Sequence, residues 1–317
     1  MRYATRVLFC ALLLLAFAST APAQTALLGD GVVVDTERAT AYTMNLSGGI
    51  DAVDLASGNT LWTSDVAARP IAMTDRGLLA QAQPSAAGEL ALRVIDPTGV
   101  AVASHAVALR GGVWATVQDS NKVSFRISAV PGDGAVSLNW TSSVSNLEGA
   151  LQSPEDGLAP GDLVPDTRAN GFTRQEGSLE LDLASGAISN AIATRNATPV
   201  ALSEGQFVTT REAGRQFLSA DGQHVMVSKL VSLIEGYQWT IYTRGGERLG
   251  ELQHRFSAAP FVVIDGTIVF RSEPFGARIG DEIVEELLAV RGVALGTGAS
   301  LFTRNIGTAQ FQGEYAP

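Results

Sequence analysis

One short string returns along this chain at intervals of forty-odd residues, and that period restricts the fold more than any other feature. From Ala41 to Trp62 the sequence reads strand, turn, strand, turn, strand, and it ends in Asp54-Leu55-Ala56-Ser57-Gly58-Asn59-Thr60-Leu61-Trp62. The string Leu181-Asp182-Leu183-Ala184-Ser185-Gly186 repeats it, and Val94-Ile95-Asp96-Pro97-Thr98-Gly99 is a variant. Tyr242 to Gly246 with Leu249 is a weaker copy, and Ala294 to Gly298 leads to Phe302, which aligns with Trp62. The glycines supply the positive φ that a tight turn demands. Their spacings are 41 (Gly58 to Gly99), 87 (Gly99 to Gly186), 60 (Gly186 to Gly246) and 52 (Gly246 to Gly298). The 87 reads as two units with a further copy near Trp140. About 40–50 residues holding four short strands is the period of a β-propeller blade. The expectation is an all-β chain, a six- or seven-bladed β-propeller of four-stranded antiparallel blades.

The rest of the sequence agrees. Val32–Asp35, Leu78–Gln83, Val123–Val130, His224–Ser228 and Trp239–Thr243 are of strand length and are bounded by Gly, Asp-Gly or Pro. Asp221-Gly222 and Asp265-Gly266 are hairpin signals. Glu282–Val290 fits a short helix and a strand equally. Closure of a ring predicts that Leu27–Val34 or Thr308–Tyr315 completes a blade begun at the opposite terminus.

The first residues read as an export signal. Arg2 and Arg6 precede an apolar run from Val7 to Ala18, and Ala21-Pro22-Ala23 is an A-x-A site before Gln24. Residues 1–23 are assigned to a signal peptide and 24–317 to a single propeller domain that is periplasmic or secreted. Cys10 is the only cysteine of the chain and falls inside the leader, so the mature chain excludes disulfides and thiolate chemistry. Without the leader's two arginines, 20 basic residues stand against 32 acidic ones, a net charge of −12. Only Lys122 and Lys229 are lysines. No basic stripe is present, which argues against nucleic acid, and no other segment is long and apolar enough to span a bilayer.

Candidate chemistry is sparse. His105, His224 and His254 have no metal-ligand spacing, and no nucleophile elbow, phosphate-binding loop or H-E-x-x-H occurs. Gly296-Thr297-Gly298 opens a strand rather than a helix and reads as a turn. Two acidic insertions stand out. Residues 144–170 carry Glu148, Glu155, Asp156, Asp162 and Asp166, and residues 273–286 include Asp281, Glu282, Glu285 and Glu286. Each reads as a solvated loop, with Ca²⁺ as the ligand such carboxylates suit. Trp114, Trp140, Trp239, Tyr42 and Tyr237 read as packing between blades, with a face groove as the alternative.

The pattern A-x-D-L-x-[ST]-G-x-x-L-W at 52–62 resembles the repeat of pyrroloquinoline-quinone-type (quinoprotein-like) β-propellers, and its echoes at 94–99, 181–186 and 293–302 extend the resemblance over most of the chain. The resemblance implies a structural motif made of Asp54, Gly58, Trp62, Gly99, Asp182, Gly186, Gly246, Gly298 and Phe302, in which the residue at the Trp62 position docks on the neighbouring blade. It also implies two kinds of function. Catalytic members bind the quinone with Ca²⁺, and this chain shows no matching acidic–amide set. The expectation is therefore a non-catalytic binding or scaffold module of the cell envelope, without a cofactor, that meets a protein, peptide or glycan on a propeller face. The alternative is a quinone-dependent dehydrogenase oxidising an alcohol or sugar.

Overall fold

The computed structural model describes residues 25–83, 85, 89–108, 123–145, 172–194, 202–210, 212–279 and 282–307. The expected signal peptide, Trp114, nearly all of the 144–170 insertion and the tail 308–317 lie outside them. Among the described residues every regular element is a strand, and the strands form five up-and-down antiparallel sheets in chain order.

The first sheet holds β1 (Thr25–Leu27), β2 (Val32–Asp35), β3 (Thr40–Met44), β4 (Ile50–Asp54) and β5 (Thr60–Ser64). The second holds β6 (Arg69–Thr74), β7 (Gly77–Ala82), β8 (Glu89–Ile95) and β9 (Ala101–Ala108). The third is β10 (Val123–Pro131), β11 (Ala135–Ser145), β12 (Phe172–Asp182) and β13 (Ile188–Thr194). The fourth is β14 (Glu204–Gly205), β15 (Arg215–Leu218), β16 (His224–Ser232), β17 (Gly236–Thr243) and β18 (Arg248–His254). The fifth is β19 (Phe261–Ile264), β20 (Thr267–Ser272), β23 (Ala289–Ala294) and β24 (Ser300–Asn305), interrupted by the hairpin β21 (Phe275–Ile279) and β22 (Glu282–Glu286).

Period-two alternation sends the two faces of each sheet to different neighbours. Val33 and Tyr42 pack with Met73 and Leu78 of the second sheet, whereas Val32, Val34 and Ala41 pack with Val262, Val269 and Val290 of the fifth. Likewise Ala72 and Leu79 meet Val136, Leu138 and Leu181 of the third sheet, and Phe217, Met226 and Ile241 of the fourth meet Phe261, Ile268 and Phe270. The sheets thus pack in the order fourth, fifth, first, second, third, so the last described sheet closes on the first. The other face of the fourth sheet is covered by Val208 and Phe207 against Val225, Val227 and Tyr242. Burial falls from the inner strands outward. All of β2, β3 and β7 is buried, while β24 is exposed or half-buried throughout.

The described residues hold five sheets of four or five strands beside the β21–β22 hairpin, and the six or seven blades of the period are a count for the whole chain. Two other expectations change. Among the described residues no separate copy surrounds Trp140, because β11 pairs along its length with β12, and Trp140 sits opposite Gly177; the described part of the 87-residue interval holds β9 of the second sheet and β10, β11 and β12 of the third. The segment around Leu27–Val34 does not complete the last sheet but pairs within the first. Closure there comes from side-chain packing, from the Gly307 N–H, which donates to the Met44 carbonyl at 3.0 Å, and from an ion pair of Arg304 with the buried Asp51, Arg304 also donating to Thr60 Oγ1 at 2.7 Å. Glu282–Val290 holds no helix: Glu282–Glu286 pairs in the β21–β22 hairpin, and after a break at Leu287 and Leu288 the chain enters β23 at Ala289.

Candidate binding face

The repeated string forms the turn between the last two strands of each sheet, once per sheet. Asp54 accepts hydrogen bonds from the Ser57 N–H (3.0 Å) and hydroxyl, and the Gly58 N–H closes the turn on the Asp54 carbonyl at 2.7 Å. Asp182 accepts from Ala184 N–H (3.0 Å), Ser185 N–H (2.7 Å) and the Ser185 hydroxyl (2.8 Å), with Gly186 closing at 2.8 Å. Asp96 accepts from Thr98 N–H and hydroxyl and from Val100 N–H. Hydrogen bonds led by the Ser57 side chain, the Thr98 side chain and the Ser185 backbone hold these three carboxyls below the usual range. All five turn glycines have positive φ, between 68° and 89°.

In four of the five sheets this turn is tied to the turn two strand connections earlier. Leu55 N–H donates to Ala39 (2.9 Å), Leu183 to Gly134 (3.1 Å), Arg244 to Gln223 (3.2 Å) and Leu295 to Gly266 (2.8 Å). Both turn sets therefore lie on one face, which is short and braced. The motif residues have structural work. A Cβ on Gly58 would stand 2.4 Å from Phe302, and one on Gly99 would stand 3.0 Å from the Trp62 ring. Trp62 Nε1 donates to Pro97 of the second sheet at 2.8 Å. At these two junctions the outer strand of one sheet thus plugs onto the turn of the next. At the second sheet the Trp62 position is Ala103, and His105 takes over, with Nδ1 3.0 Å from a Cβ at Gly186. At the fourth sheet register places Gly250, not Leu249, opposite Ile241, as Trp62 is opposite Ala52 and Phe302 opposite Gly292.

The opposite face carries the long connections. The chain leaves it at Ser145 and returns at Phe172, and the β21–β22 hairpin inserts there between β20 and β23. Apolar side chains stand in solvent there, with Leu46 72% exposed, Leu233 95%, Ile234 93% and Leu287 58%, and on the motif-turn face as well, where Val100 is 58% and Val130 61% exposed. Leu230 and Val231 continue the patch down the hairpin that joins β16 to β17.

An aromatic and charged cluster anchors the inserted hairpin. The His254 ring lies 4.4 Å from Trp239 and edge-on to Phe270 at 5.0 Å, and its Nδ1 accepts from the Phe256 N–H at 3.2 Å. Burial, reinforced by the Arg291 charge, pushes the His254 imidazole from 6.5 to about 4, so it is neutral at pH 7. Arg255 stacks on the Phe275 ring at 3.8 Å. Glu286 bridges Arg255 (3.7 Å) and Arg291 (2.7 Å). This sets hydrophobic and ionic contacts around the hairpin's root, with no carboxylate on the imidazole to make it a base. Sequence reasoning missed the cluster, since a lone histidine has no local signature.

The remaining candidates disperse. His224 opens β16, with its imidazole lowered mainly by burial, at the end of the fourth sheet opposite to His254. Of the acidic residues in 273–286, Glu273 pairs with Arg271 and Glu286 with the two arginines. Among the described residues no group of three or more His, Cys, Asp or Glu is placed to hold a metal ion. Tyr42, Trp140 and Trp239 are core side chains. No helix of the described residues is long and apolar enough to cross a membrane.

No protein-family model matches the chain, and no curated protein does. Among solved structures it is similar to the Pan2 WD40 domain of Neurospora crassa, at 8% identity over 87% of this chain and 66% of that one, with a TM-score of 0.26. It is similar too to the Cps50 (Swd1) β-propeller domain of Myceliophteria thermophila, at 8% identity over 88% of this chain and 89% of that one, also at 0.26. The RRP9 WD40 repeats give 10% identity, 90% and 82% coverage and a TM-score of 0.25. Superposition this loose adds nothing to what the sheets themselves define.

Proposed function

We propose that this chain is an exported, non-catalytic β-propeller that serves as a binding or scaffold module of the cell envelope and meets a protein, peptide or glycan with its long-connection face. The observation that carries the reading is the difference between the two faces. One is built of hydrogen-bonded short turns, whereas the other gathers the long connections and the three most exposed large apolar side chains of the described residues, Leu233, Ile234 and Leu46. Exposed large apolar side chains at a hairpin tip cost solvation and contribute nothing to the core, which is the signature of an interaction surface. For the complete ring the sequence period proposes six or seven blades, against five sheets among the described residues. Export rests on residues 1–23 alone.

The test is a pull-down from an envelope extract with the wild-type protein and with Leu233→Ser/Ile234→Ser. Because these side chains touch no core, the double variant should keep its stability within about 0.5 kcal/mol while losing the retained partner. Equal retention by both proteins, or no retained macromolecule together with turnover of an alcohol or sugar on addition of quinone and Ca²⁺, contradicts the reading.

A further inference from the structure

Among the described residues the β21–β22 hairpin is a two-stranded sheet of its own, so no strand ladder ties it to β20 or β23, between which it is inserted. Two strands alone are marginal in water, and the hairpin's place depends on side chains at its root. The contacts there centre on one cross-strand pair, Phe275 opposite Glu286. The Arg255 guanidinium stacks on the Phe275 ring at 3.8 Å, and the Phe256 ring meets it edge-on at 6.1 Å. Glu286 holds Arg291 of β23 at 2.7 Å and Arg255 at 3.7 Å. Both grips on Phe275 thus come from the two residues that follow His254.

The His254 ring in turn sets those residues. Trp239 Nε1 donates to the Phe256 carbonyl at 3.0 Å, and the Phe256 N–H donates to His254 Nδ1 at 3.2 Å. A backbone N–H can only donate, so Nδ1 carries the lone pair and the proton of the neutral ring is on Nε2. An imidazolium has no lone pair, and a proton on Nδ1 therefore takes away the acceptor of the Phe256 N–H. The new charge would also stand mainly among like charges. Trp239 of β17 and Phe270 of β20 flank the ring without charge, and Tyr237 is its cross-strand partner. Arg291 of β23 and the adjacent Arg255 are cations, and Glu286 of β22 is the one anion among the groups that act on the ring.

We propose that these groups form an acid-operated latch: a proton on His254 frees Arg255 and Phe256, they let go of Phe275, and the β21–β22 hairpin detaches at its root while the five sheets stay folded. The closed form resists the proton, because its imidazole titrates at about 4 rather than 6.5. Opening returns the ring toward its ordinary value, so the open form binds more protons and acid favours it. The hairpin stands on the long-connection face, and its release redraws the surface proposed above; that consequence alone rests on the proposed function, and the latch does not.

The experiment follows the full-length protein by nitrogen-15 NMR from pH 7 to pH 4, reading the backbone order parameters of Phe275, Gly276, Glu285 and Glu286 together with the His254 ring nitrogens. No partner enters the measurement, so its outcome is independent of the proposed function. The hairpin's order parameters should fall from about 0.85 to below about 0.6, with the midpoint of His254 protonation, while Val269, Phe270 and Val290 stay rigid. The acid step should vanish in His254→Gln. Phe275→Ala removes the grip from the hairpin's side, so it should loosen the hairpin at pH 7 and, by reciprocity, move the His254 titration up toward 6.5. The proposal is overturned if the hairpin stays ordered after His254 is protonated, if it loosens while the ring is neutral, or if it loosens only together with β20 and β23. An acid step that persists in His254→Gln, or a His254 titration unchanged by Phe275→Ala, overturns it equally.

Discussion

Trp62 shows how one side chain ties two sheets. Its ring covers Gly99, packs 5.7 Å from Tyr42 and hydrogen-bonds to Pro97. Trp62→Ala removes all three contacts from a half-buried site, so it should cost about 2–3 kcal/mol, less than a fully buried tryptophan. Urea denaturation measures this, and a loss under about 0.5 kcal/mol would mean that the plug is ornamental. His254 sets a pH dependence. The unfolded chain protonates this imidazole near 6.5 and the folded chain only near 4. Between those values the unfolded state binds more protons, so stability is full above pH 6.5, falls as the pH drops toward 4, and then levels. The span corresponds to about 3 kcal/mol. His224 is shifted in the same direction, so His254→Gln should flatten most of the slope between pH 6.5 and 4 rather than all of it. A wild-type protein equally stable at pH 7 and pH 4.5 would contradict the burial of His254.

At the level of elements, local chemistry was legible and long-range chemistry was not. The turns at Asp54–Gly58 and Asp182–Gly186 could be read because their hydrogen bonds span four residues and need an acceptor, a hydroxyl and a positive-φ glycine in fixed order. The plug of the fourth sheet was misplaced at Leu249, because hydrophobicity selects the leucine and only the hydrogen-bond register selects Gly250. The 87-residue spacing was split into two units because nothing in the sequence says that β11 and β12, 11 residues each, belong to one sheet. The clasp between Arg304 and Asp51 joins positions 253 apart and leaves no local trace. Burial pushes the Asp51 carboxyl up, but hydrogen bonds from Arg304, Asn45 and Thr63 outweigh it and hold the group below the usual range. Arg304→Ala leaves a buried carboxylate with two neutral donors and should cost about 2 kcal/mol. Hydrogen exchange should then quicken in β4 of the first sheet as well as in β24. Acceleration confined to the fifth sheet would mean that the two sheets are not clasped.

Over the whole molecule, five sheets alternate their faces so that each neighbour is buried by its own set of side chains, and the up-and-down path sends every short motif turn to one face. The other face holds the ends of β11 and β12 at Ser145 and Phe172, the β21–β22 hairpin and the Leu233–Ile234 tip. That the two acidic insertions fall between the second and third strands of their sheets was unreadable without the strand order, although both segments were visible in the composition. Site-specific photo-crosslinking tests the division of faces most directly, with p-benzoylphenylalanine placed singly at Leu46, Leu233, Ser57 and Thr297 in cells, all four positions being exposed. Position 297 lines a groove along β18 and reports separately on that groove. Covalent adducts to a partner from positions 46 and 233, with none from 57, are the predicted result; adducts from 57 alone, or from none of these three, would contradict it.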